Sequence, residues 1–355
     1  MSERSTPISR KRGSTRLSVA SFGAAGDGDS DDTAAFQRAI DALPAEGGTV
    51  YVPRGSYRID TRKSVALRNN LLLDMHPEAH LRAIPNDAPR YAVLLGVRRQ
   101  DVEIRGGRIE GDRLRHTYTD TGNSRRTHEW GMGIALRGCR DVTIVGTRVS
   151  MCTGDGLSVS GTVDVHDVIS QRNRRQGLSA YTGTVRVFGG RFSDTGDIEG
   201  NPGTAPMAGI DVEPDSGRSI DVVIDGAKVL DNQTAGVLAW ARAGTGVGIR
   251  NMTVRNCEIA RNANGVHAKA VGDDTVIDGF HLVDNYIHHQ RASGIRLDRG
   301  VRNANIAGNT FERNHTRQRA RAVRDFQLTG PSPATDRDLL VTGDAKVTIG
   351  VNRYR

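Results

Sequence analysis

Seven copies of one short phrase dominate the middle of the chain, between Gly131 and Asp298. Each copy is a glycine, an apolar residue, any residue and a second apolar residue, and the glycines lie 23, 21, 32, 27, 29 and 29 residues apart. A period in the twenties is typical of a solenoid, in which each repeat stacks on the next. The copies are Gly133-Ile134-Ala135-Leu136, Gly156-Leu157-Ser158-Val159, Gly177-Leu178-Ser179-Ala180, Gly209-Ile210-Asp211-Val212, Gly236-Val237-Leu238-Ala239, Gly265-Val266-His267-Ala268 and Gly294-Ile295-Arg296-Leu297.

A second phrase recurs between the glycine copies and reads apolar-x-apolar, four residues, then a third apolar residue. Its period of two predicts strands with one buried face, and helical spacing is absent from this region. A coil of about three short strands cannot bury its own apolar face, so the coils must stack around a continuous core. We therefore predict an all-β parallel β-helix. The copies are Val142-Ile144-Val149, Val185-Val187-Phe192, Val222-Ile224-Val229, Met252-Val254-Ile259, Phe280-Leu282-Ile287 and Ala304-Ile306-Phe311.

The N-terminal segment differs from the repeats. Residues 1–17 are polar and basic and are predicted to be a disordered tail, followed by a single domain over residues 18–355. Phe36, Ala39, Ile40 and Leu43 lie on one face of a predicted helix that Asp31 or Asp32 can cap. A helix here would cover the open apolar end of the first coil, which a solenoid requires.

The same segment carries a family resemblance. The stretch FGAAGDGDSDDTAAFQRAID, followed by GGTVYVPRGSYRI, resembles the start of the pectate-lyase-like superfamily. That superfamily includes rhamnogalacturonases, polygalacturonases, alginate epimerases and phage tailspike depolymerases. The resemblance implies a right-handed, single-stranded parallel β-helix with an N-terminal capping helix, acting on polysaccharide. It also implies that four aspartates serve in the cap and its turns rather than in a metal loop: Asp27, Asp29, Asp31 and Asp32.

Composition limits the partners. The formal net charge is +8 and the sequence pI is about 9.7, which favours a polyanionic partner such as an acidic polysaccharide. Three cysteines, Cys139, Cys152 and Cys257, show no metal-ligand spacing and are predicted to be buried thiols. No stretch of about 18 apolar residues is present, so we predict no membrane span. No signal peptide is visible, and a secreted or periplasmic location is favoured only by the expected function.

Two insertions interrupt the repeats. The stretch from Gly111 to Thr127 is almost devoid of apolar residues, and Thr195 to Ala208 lengthens one coil to 32 residues. Long loops without structure of their own are usually functional or disordered. We predict that both border a binding groove along the glycine copies.

The outward side of the glycine copies is the predicted groove. Side chains alternate along a strand, so residues one and three after each glycine point inward, and residues two and four point outward. We call these outward positions the glycine face. Position two holds Ala135, Ser158, Ser179, Asp211, Leu238, His267 and Arg296, and position four holds Arg137, Ser160, Tyr181, Glu213, Trp240, Lys269 and Asp298.

Two carboxylates on this face are the predicted acid and base. Asp211 and Glu213 are two residues apart on one strand, a separation of roughly 6.5–7 Å. This is near the lower edge of the separation in inverting glycosidases, which use one carboxylic acid and one carboxylate. Asp155 is the second-choice catalytic carboxylate. The alternative is that the pair forms surface salt bridges with Arg175, Lys269 or Arg296.

The remaining predicted site residues would bind substrate. They are Arg175, Tyr181, His267, Lys269, Trp240, Glu129, His128 and Arg296. A guanidinium can hold a sugar carboxylate, and an indole can stack on a sugar ring. The Asn-Thr-Asp and Gly-His-Gly motifs of polygalacturonases and the Asp-Pro-His motif of alginate epimerases are absent, so the resemblance does not name the reaction.

These residues are compatible with three functions. Glycoside hydrolysis is favoured, and we predict that it requires no metal or cofactor. The first alternative is a polysaccharide lyase with His267 or Lys269 as base and Arg175, Arg296 or Ca²⁺ as the cation. The second is a non-catalytic carbohydrate-binding or tailspike-like adhesion protein. We predict a monomer or a homotrimer, and the adhesion alternative predicts trimers. Nucleic acid is disfavoured as a partner because acids are mixed into the face.

Overall fold

A computed structural model describes residues 12–119, 128–198, 200–214, 219–242, 248–272, 275–315, 338–342 and 345–354. Over these ranges the chain forms thirty strands, one short 3-10 helix at Val19–Phe22 and one α-helix, α1, at Thr33–Asp41. The chain divides into two compact units, Met1–Arg174 and Arg175–Arg355, which are described separately below. The expectation of a single domain over residues 18–355 stays a prediction.

Strands of the first unit pair in parallel with strands of neighbouring coils. They are β1 Arg16–Ser18, β2 Asp27–Asp31, β3 Gly48–Val52, β4 Gly55–Ile59, β5 Val65–Ala66, β6 Leu71–Ala83, β7 Arg90–Val97, β8 Gln100–Glu110, β9 Trp130–Val145, β10 Arg148–Ser150, β11 Leu157–His166 and β12 Ile169–Gln171.

Helix α1 lies at the start of this unit, as predicted. Its Phe36, Ala39 and Ile40 are fully buried, and Phe36 packs edge-on against Tyr57 of β4. The Asp32 carboxylate accepts hydrogen bonds from the backbone N–H groups of Ala25 and Gly26. This aspartate therefore fixes the turn that precedes the helix, as expected, but its side chain makes no capping hydrogen bond to α1.

The end of the predicted disordered tail is part of a strand. Arg16–Ser18 is strand β1, which pairs in parallel with β3 from Arg16↔Thr49 to Ser18↔Tyr51. Apolar Leu17 and the hydrogen bond from Thr49 N–H to the Thr15 carbonyl tie this segment to the first coil. Residues 1–11 of the predicted tail, and residues 120–127 of the predicted loop, lie outside the described residues.

The second unit repeats a coil of three strands. Successive coils pair strand by strand, for example β18 with β21, β19 with β22 and β20 with β23, all in parallel. Its strands are β13 Leu178–Phe188, β14 Arg191–Ser193, β15 Ile210–Val212, β16 Ile220–Asp225, β17 Lys228–Leu230, β18 Ala235–Ala241, β19 Ile249–Arg255, β20 Glu258–Ala260, β21 Asn264–Ala270, β22 Ile277–Val283, β23 Tyr286–His288, β24 Ile295–Leu297, β25 Val301–Arg302, β26 Ala304–Ala307, β27 Thr310–Glu312, β28 Leu339–Val341, β29 Val347–Ile349 and β30 Arg353–Tyr354.

The register of the glycine copies matches the prediction. In the second unit Ile210, Val237, Val266 and Ile295 pair in turn, and each is fully buried. Every residue at positions one and three after the seven glycines is at most 1% exposed. The inward positions therefore form the core. The three cysteines are also buried free thiols, as predicted.

Close approach between coils explains the repeated glycine. A Cβ atom on Gly265 would lie 2.4 Å from the carbonyl oxygen of Gly294, and one on Gly236 would lie 2.7 Å from that of Gly265. Both contacts are shorter than real Cβ atoms tolerate. Since the clash is with the backbone of the next coil, any larger residue would push the coils apart.

An amide ladder, which the sequence analysis did not predict, joins one corner of four successive coils. The backbone N–H of Asn232 donates to Asn262 Oδ1 at 2.9 Å, that of Asn262 to Gln290 Oε1 at 2.9 Å, and that of Gln290 to Asn314 Oδ1 at 3.1 Å. The preceding residue in each coil is left-handed, with φ between 47° and 59°. A second ladder runs through Asn285, Asn309 and Asn352. These side chains satisfy backbone groups that the turns leave unpaired.

We expect Asn262→Ala to lower the free energy of unfolding by about 3 kcal/mol, because it leaves buried donors and acceptors unsatisfied in two neighbouring coils. Asn262 accepts from Asn232 and donates to the Val229 carbonyl, and its side chain is fully buried. Chemical denaturation measures the change. Asn305→Ala, on the half-buried outward side of β26, is the matched control and should change the free energy by less than about 0.5 kcal/mol. Equal effects of the two substitutions would contradict a structural role for the ladder.

Candidate functional site

Parallel register brings the predicted outward residues of the second unit into columns. Asp211, Leu238, His267 and Arg296 pair consecutively at position two, and Trp240 pairs with Lys269 at position four. Adjacent coils in such a stack are about 4.8 Å apart, so side chains of neighbouring coils can touch one another. The glycine face therefore exists in this unit as a continuous set of side chains.

Most of position two is covered rather than open. Ser179 and Asp211 are fully buried, and Leu238 and His267 are 3% and 7% exposed. Trp240 packs against a small apolar cluster of Ala208, Ala235 and Leu238 on this face. The expectation of an open trough at position two is wrong here, because neighbouring side chains cover the strand centres. Position four is more accessible, since Tyr181, Trp240 and Lys269 are only half-buried.

His267 and Asp298 form a hydrogen-bonded pair across two adjacent coils. His267 Nε2 lies 3.0 Å from Asp298 Oδ2, and Asp298 Oδ1 accepts from Arg296 Nε at 3.0 Å and from Thr342 Oγ1 at 2.8 Å. An ionised carboxylate accepts all three bonds when Nε2 carries the imidazole proton. In that tautomer, the proton-accepting nitrogen of His267 is Nδ1.

The pKa shifts of this pair agree with that assignment. Burial lowers the pKa of His267 below its ordinary value of 6.5, and the Asp298 carboxylate offsets only part of the shift. Burial raises the pKa of Asp298, but the hydrogen bonds from His267, Arg296 and Thr342 outweigh it and leave that pKa well below its ordinary value. His267 is therefore neutral and Asp298 ionised at neutral pH. Both shifts have the same consequence: the stability that they contribute is present at neutral pH and declines on acidification.

Trp240 and Lys269 lie next to the histidine. The Trp240 ring meets the His267 ring edge-on with centroids 6.2 Å apart, and Lys269 Nζ lies 5.3 Å from the centre of the Trp240 ring. Cations stack favourably on the face of an indole. The arrangement places the ammonium of Lys269 and the guanidinium of Arg296 around one neutral imidazole.

Asp211 is held within a buried polar cluster. Gln176 Nε2 donates to Asp211 Oδ2, and Gln176 Oε1 accepts from Ser179 Oγ at 2.7 Å and from Arg175 Nη1 at 2.5 Å. Gln176 is fully buried and was not among the predicted site residues. It connects Arg175 to Asp211, so the arginine contacts this aspartate through the amide.

Glu213 is enclosed by two guanidinium groups. Its carboxylate forms ion pairs with Arg175 Nη2, at 3.6 Å, and with Arg242 Nη2. The Glu213 side chain is 12% exposed, whereas that of Arg242 is 64% exposed. The contact with Arg175 is the salt bridge that the sequence analysis gave as the alternative to catalysis. Arg242 was missed, because its position six residues after Gly236 lies beyond the repeated phrase.

Three predicted site residues lie in the first unit. Asp155 is fully buried, and its backbone N–H lies 3.4 Å from Met132 Sδ; Glu129 and His128 are 7% and 1% exposed. His128 contacts the described part of the 111–127 loop, where its Nδ1 lies 2.7 Å from His116 Nε2. The structure thus groups His128 with loop residues, and it groups Arg175, Asp211 and Glu213 separately in the second unit. The catalytic and binding roles of all these residues stay predictions.

The described side chains do not fit a calcium site. Ca²⁺ requires six to eight oxygen ligands, usually including several carboxylates. Within the described ranges, no group of three or more His, Cys, Asp and Glu side chains is arranged to hold a metal ion. Asp211, Glu213 and Asp298 are each engaged by amide or cationic side chains instead.

Among the described residues, none belongs to a helix with the length and apolarity to cross a membrane.

We expect Asp298→Asn to lower the pKa of His267 further, because the neutral amide no longer stabilises the imidazolium. A nuclear magnetic resonance titration of the His267 ring protons measures this shift. Asp278→Asn is the control. Asp278 lies on β22 and accepts a hydrogen bond from Asn303, so this substitution should leave the His267 pKa unchanged. An unchanged His267 pKa in the Asp298 variant would show that the pair is not formed in solution.

Sequence comparisons match parts of this chain to proteins of differing names. A family model described as rhamnogalacturonase A/epimerase, pectate lyase-like, matches residues 17–68. The uncharacterized protein YclG of Bacillus subtilis is 33% identical over 224 residues, which are 56% of this chain and 38% of that protein. The mannuronan C5-epimerase AlgE3 of Azotobacter vinelandii is 65% identical over 44 residues, 12% of this chain and 2% of the epimerase. The chain thus spans less than two fifths of the length of these relatives.

Solved structures resemble the chain over nearly all its length at low identity. The A-module of the mannuronan C-5 epimerase AlgE6 of Azotobacter vinelandii has a TM-score of 0.58 at 20% identity and covers 96% of this chain and 98% of its own. An exopolygalacturonase from Thermotoga maritima has a TM-score of 0.58 at 14% identity, and the match covers 97% of this chain and 91% of the enzyme. The Dettilon tailspike protein has a TM-score of 0.63 at 15% identity, and the match covers 96% of this chain and 62% of the tailspike.

The fold and the opening motif therefore agree with the resemblance seen in the sequence. The structural likeness supports the coils, and the family model supports the cap and first strands over residues 17–68. Residues 17–68 therefore match the pectate-lyase-like family model, and the coils share the parallel β-helix fold of these solved structures.

Proposed function

We propose that this protein acts on an acidic polysaccharide and removes the proton next to a uronate carboxylate, as a lyase or a C5-epimerase does. The observation that carries the proposal is the His267–Asp298 pair, a neutral imidazole oriented by a carboxylate on the glycine face. Support for the substrate class comes from the net charge of +8 and from the names of the relatives, which include a mannuronan epimerase and an exopolygalacturonase.

The chemistry needs a base and a cation. His267 accepts the C5 proton at Nδ1, and the electron pair of the broken C–H bond moves towards the uronate carboxyl group. Asp298 stabilises the imidazolium that forms, since its carboxylate faces Nε2. Arg296 and Lys269 supply positive charge for the developing enolate. Cleavage of the C4–O bond, with the leaving oxygen protonated by the His267 imidazolium, completes elimination. Delivery of a proton from water to the opposite face of C5, with loss of the imidazolium proton to water, completes epimerisation.

Hydrolysis by Asp211 and Glu213 is the second candidate, and it was the one favoured by their spacing. Two contacts weigh against it. Glu213 faces two guanidinium groups, which favour its ionised form and oppose a role as proton donor. Asp211 is fully buried and bonded to Gln176. Glu213 as base and Asp211 as acid remain the assignment that hydrolysis would require.

A third reading is binding without chemistry. The structural likeness includes the Dettilon tailspike and a surface adhesin of Streptococcus pneumoniae, so the fold alone does not separate enzymes from adhesins. The neutral, oriented imidazole favours an enzyme, because a binding surface for acidic sugars needs cations and has no use for a base.

We expect His267→Gln to lower turnover by at least about a hundredfold, because general bases contribute roughly 10²–10⁴-fold. Purified uronate polysaccharides are incubated in heavy water, and deuterium at C5, unsaturated uronate ends and reducing ends are measured together. His281→Gln, on the half-buried outward side of β22, is the matched control and should retain full turnover. Full turnover in the His267 variant would remove the histidine from the mechanism.

The same assay separates the three functions. Elimination gives unsaturated ends, epimerisation gives deuterium without chain cleavage, and hydrolysis gives reducing ends with neither signal. If reducing ends alone appear, we expect Asp211→Asn and Glu213→Gln each to lower their rate by at least about a hundredfold at an unchanged melting temperature. Retained hydrolysis in both variants would reject that second candidate. Binding without any product would support the third reading.

A further inference from the structure

A chain of hydrogen bonds in the first unit runs from a buried tyrosine to an exposed threonine. Tyr91 Oη donates to Asp112 Oδ1 at 2.5 Å, and Asp112 Oδ2 lies 2.8 Å from His116 Nδ1. His116 Nε2 lies 2.7 Å from His128 Nδ1, and His128 Nε2 lies 2.7 Å from Thr119 Oγ1. None of these contacts is part of the proposed mechanism.

One backbone group fixes the protonation of the whole chain. The N–H of Thr119 points at His128 Nε2 at 3.3 Å, so this nitrogen is an acceptor. The proton of a neutral His128 is then on Nδ1 and is donated to His116 Nε2, which leaves the His116 proton on Nδ1, facing Asp112. Both histidines are thereby assigned as neutral Nδ1–H tautomers.

Asp112 is the acceptor at the inner end. Besides Tyr91 and His116, its Oδ2 accepts from the backbone N–H and the side-chain amide of Asn86, both at 3.0 Å. Asp112 is 1% exposed, and all four neighbours are donors, as an ionised carboxylate requires. The carboxylate therefore ties the loop segment that starts at Asp112 to residues 86–91.

We propose that Asp112, His116, Thr119 and His128 form an acid-sensitive latch, which holds residues 112–119 closed while both imidazoles are neutral. The inference does not depend on the proposed function.

Protonation breaks the latch at its outer end. A proton that enters at His128 Nε2 converts the acceptor of the Thr119 N–H into a donor, so this bond is lost. Thr119 thereby loses the backbone bond that holds its end of the segment against His128.

The surroundings favour the neutral state. Burial, His116 and Arg174 lower the pKa of His128, while Asp87 and Asp112 oppose that shift. The other titratable groups in contact are Tyr118, whose ring meets both imidazoles, Cys152 next to Tyr91, and Glu129 next to Arg174. Because the folded state resists proton uptake, the stability that the latch contributes is complete above the ordinary histidine pKa of 6.5 and declines as pH falls below it.

Release would change what the first unit presents to solvent. The guanidinium of Arg174 stacks on Tyr118 at 4.7 Å, and Arg174 and Glu129 are only 9% and 7% exposed. Tyr118 belongs to the latched segment and also donates to the Arg113 carbonyl. Loosening residues 116–119 would therefore uncover the buried guanidinium of Arg174.

Nitrogen-15 magnetic resonance of the histidine rings tests the assignment directly. At about pH 8 we expect His116 and His128 both to be neutral Nδ1–H tautomers, which are the minor form of free histidine in water. An Nε2–H tautomer of His128 at that pH would overturn the proposal, since the Thr119 N–H could not then be accepted.

Hydrogen exchange of the full chain tests the release. Between about pH 7.5 and about pH 5, we expect protection of residues 112–119 to fall at least about tenfold after correction for intrinsic rates, while β16 is unchanged. His128→Asn keeps a donor near the Nδ1 position and suits the left-handed backbone at φ 58°. This variant lacks the imidazole whose protonation breaks the Thr119 bond, so its protection should depend on pH much less than that of the wild type.

His80→Asn is the matched control, because His80 pairs with Glu110 at 3.2 Å but lies outside the latch. It should keep the pH dependence of the wild type. The proposal would be overturned if the protection of residues 112–119 in the wild type changed with pH no more than the protection of β16. This comparison uses the wild type alone, so it does not depend on whether a variant folds.

Discussion

The register between successive coils is the constraint on which the rest of this structure depends. Parallel pairing alone leaves a strand free to slip, and a slip of one residue would exchange inward and outward side chains. In the coils that contain Asn232, Asn262 and Gln290, the residue before the amide has a left-handed backbone conformation. The Asn262 and Gln290 side chains then each accept a hydrogen bond from the backbone N–H of the amide residue in the preceding coil. The close glycine contacts act next to these amides, since a Cβ atom on Gly236 would also lie 2.8 Å from Asn262 Nδ2, and they fix the spacing of the coils. Slippage would break both sets of contacts in every coil at once.

The same register creates the chemistry of the glycine face. His267 and Asp298 are 31 residues apart in sequence, yet they meet at 3.0 Å because their coils are adjacent and their positions differ by one outward step. Cations exceed acids around this pair, with Arg296 and Lys269 close to the imidazole. A positive surface around a neutral base suits an anionic substrate, since the base does not repel it and the cations attract it. His267 and Lys269 lie on β21 and Arg296 lies on β24, so strands position these three side chains, and Asp298 follows directly after β24.

The sequence predicted those parts of the molecule that depend on periodicity. The glycine phrase and the alternation of apolar residues located the inward positions and the column order, because each coil repeats one pattern. The amide ladder was missed, although Asn232 and Asn262 follow the last apolar residue of their coils at the same interval, since polar corner residues look like ordinary turns. The burial of Asp211 and the second guanidinium at Glu213 could not be predicted either. They depend on how Gln176 and Arg242 are oriented, and strand alternation does not determine this.

Two buried imidazoles in this protein obey one electrostatic rule. His267 and His116 are both buried, and each faces a carboxylate. A buried histidine next to an aspartate can be charged or neutral, and the surrounding groups decide which. For His267, burial together with Arg296 and Lys269 outweighs the attraction of Asp298. For His116, the geometry decides, because the Thr119 N–H directs every proton of the chain towards Asp112. The carboxylates therefore orient neutral imidazoles rather than charge them, and a neutral, oriented imidazole is the form that can accept a proton.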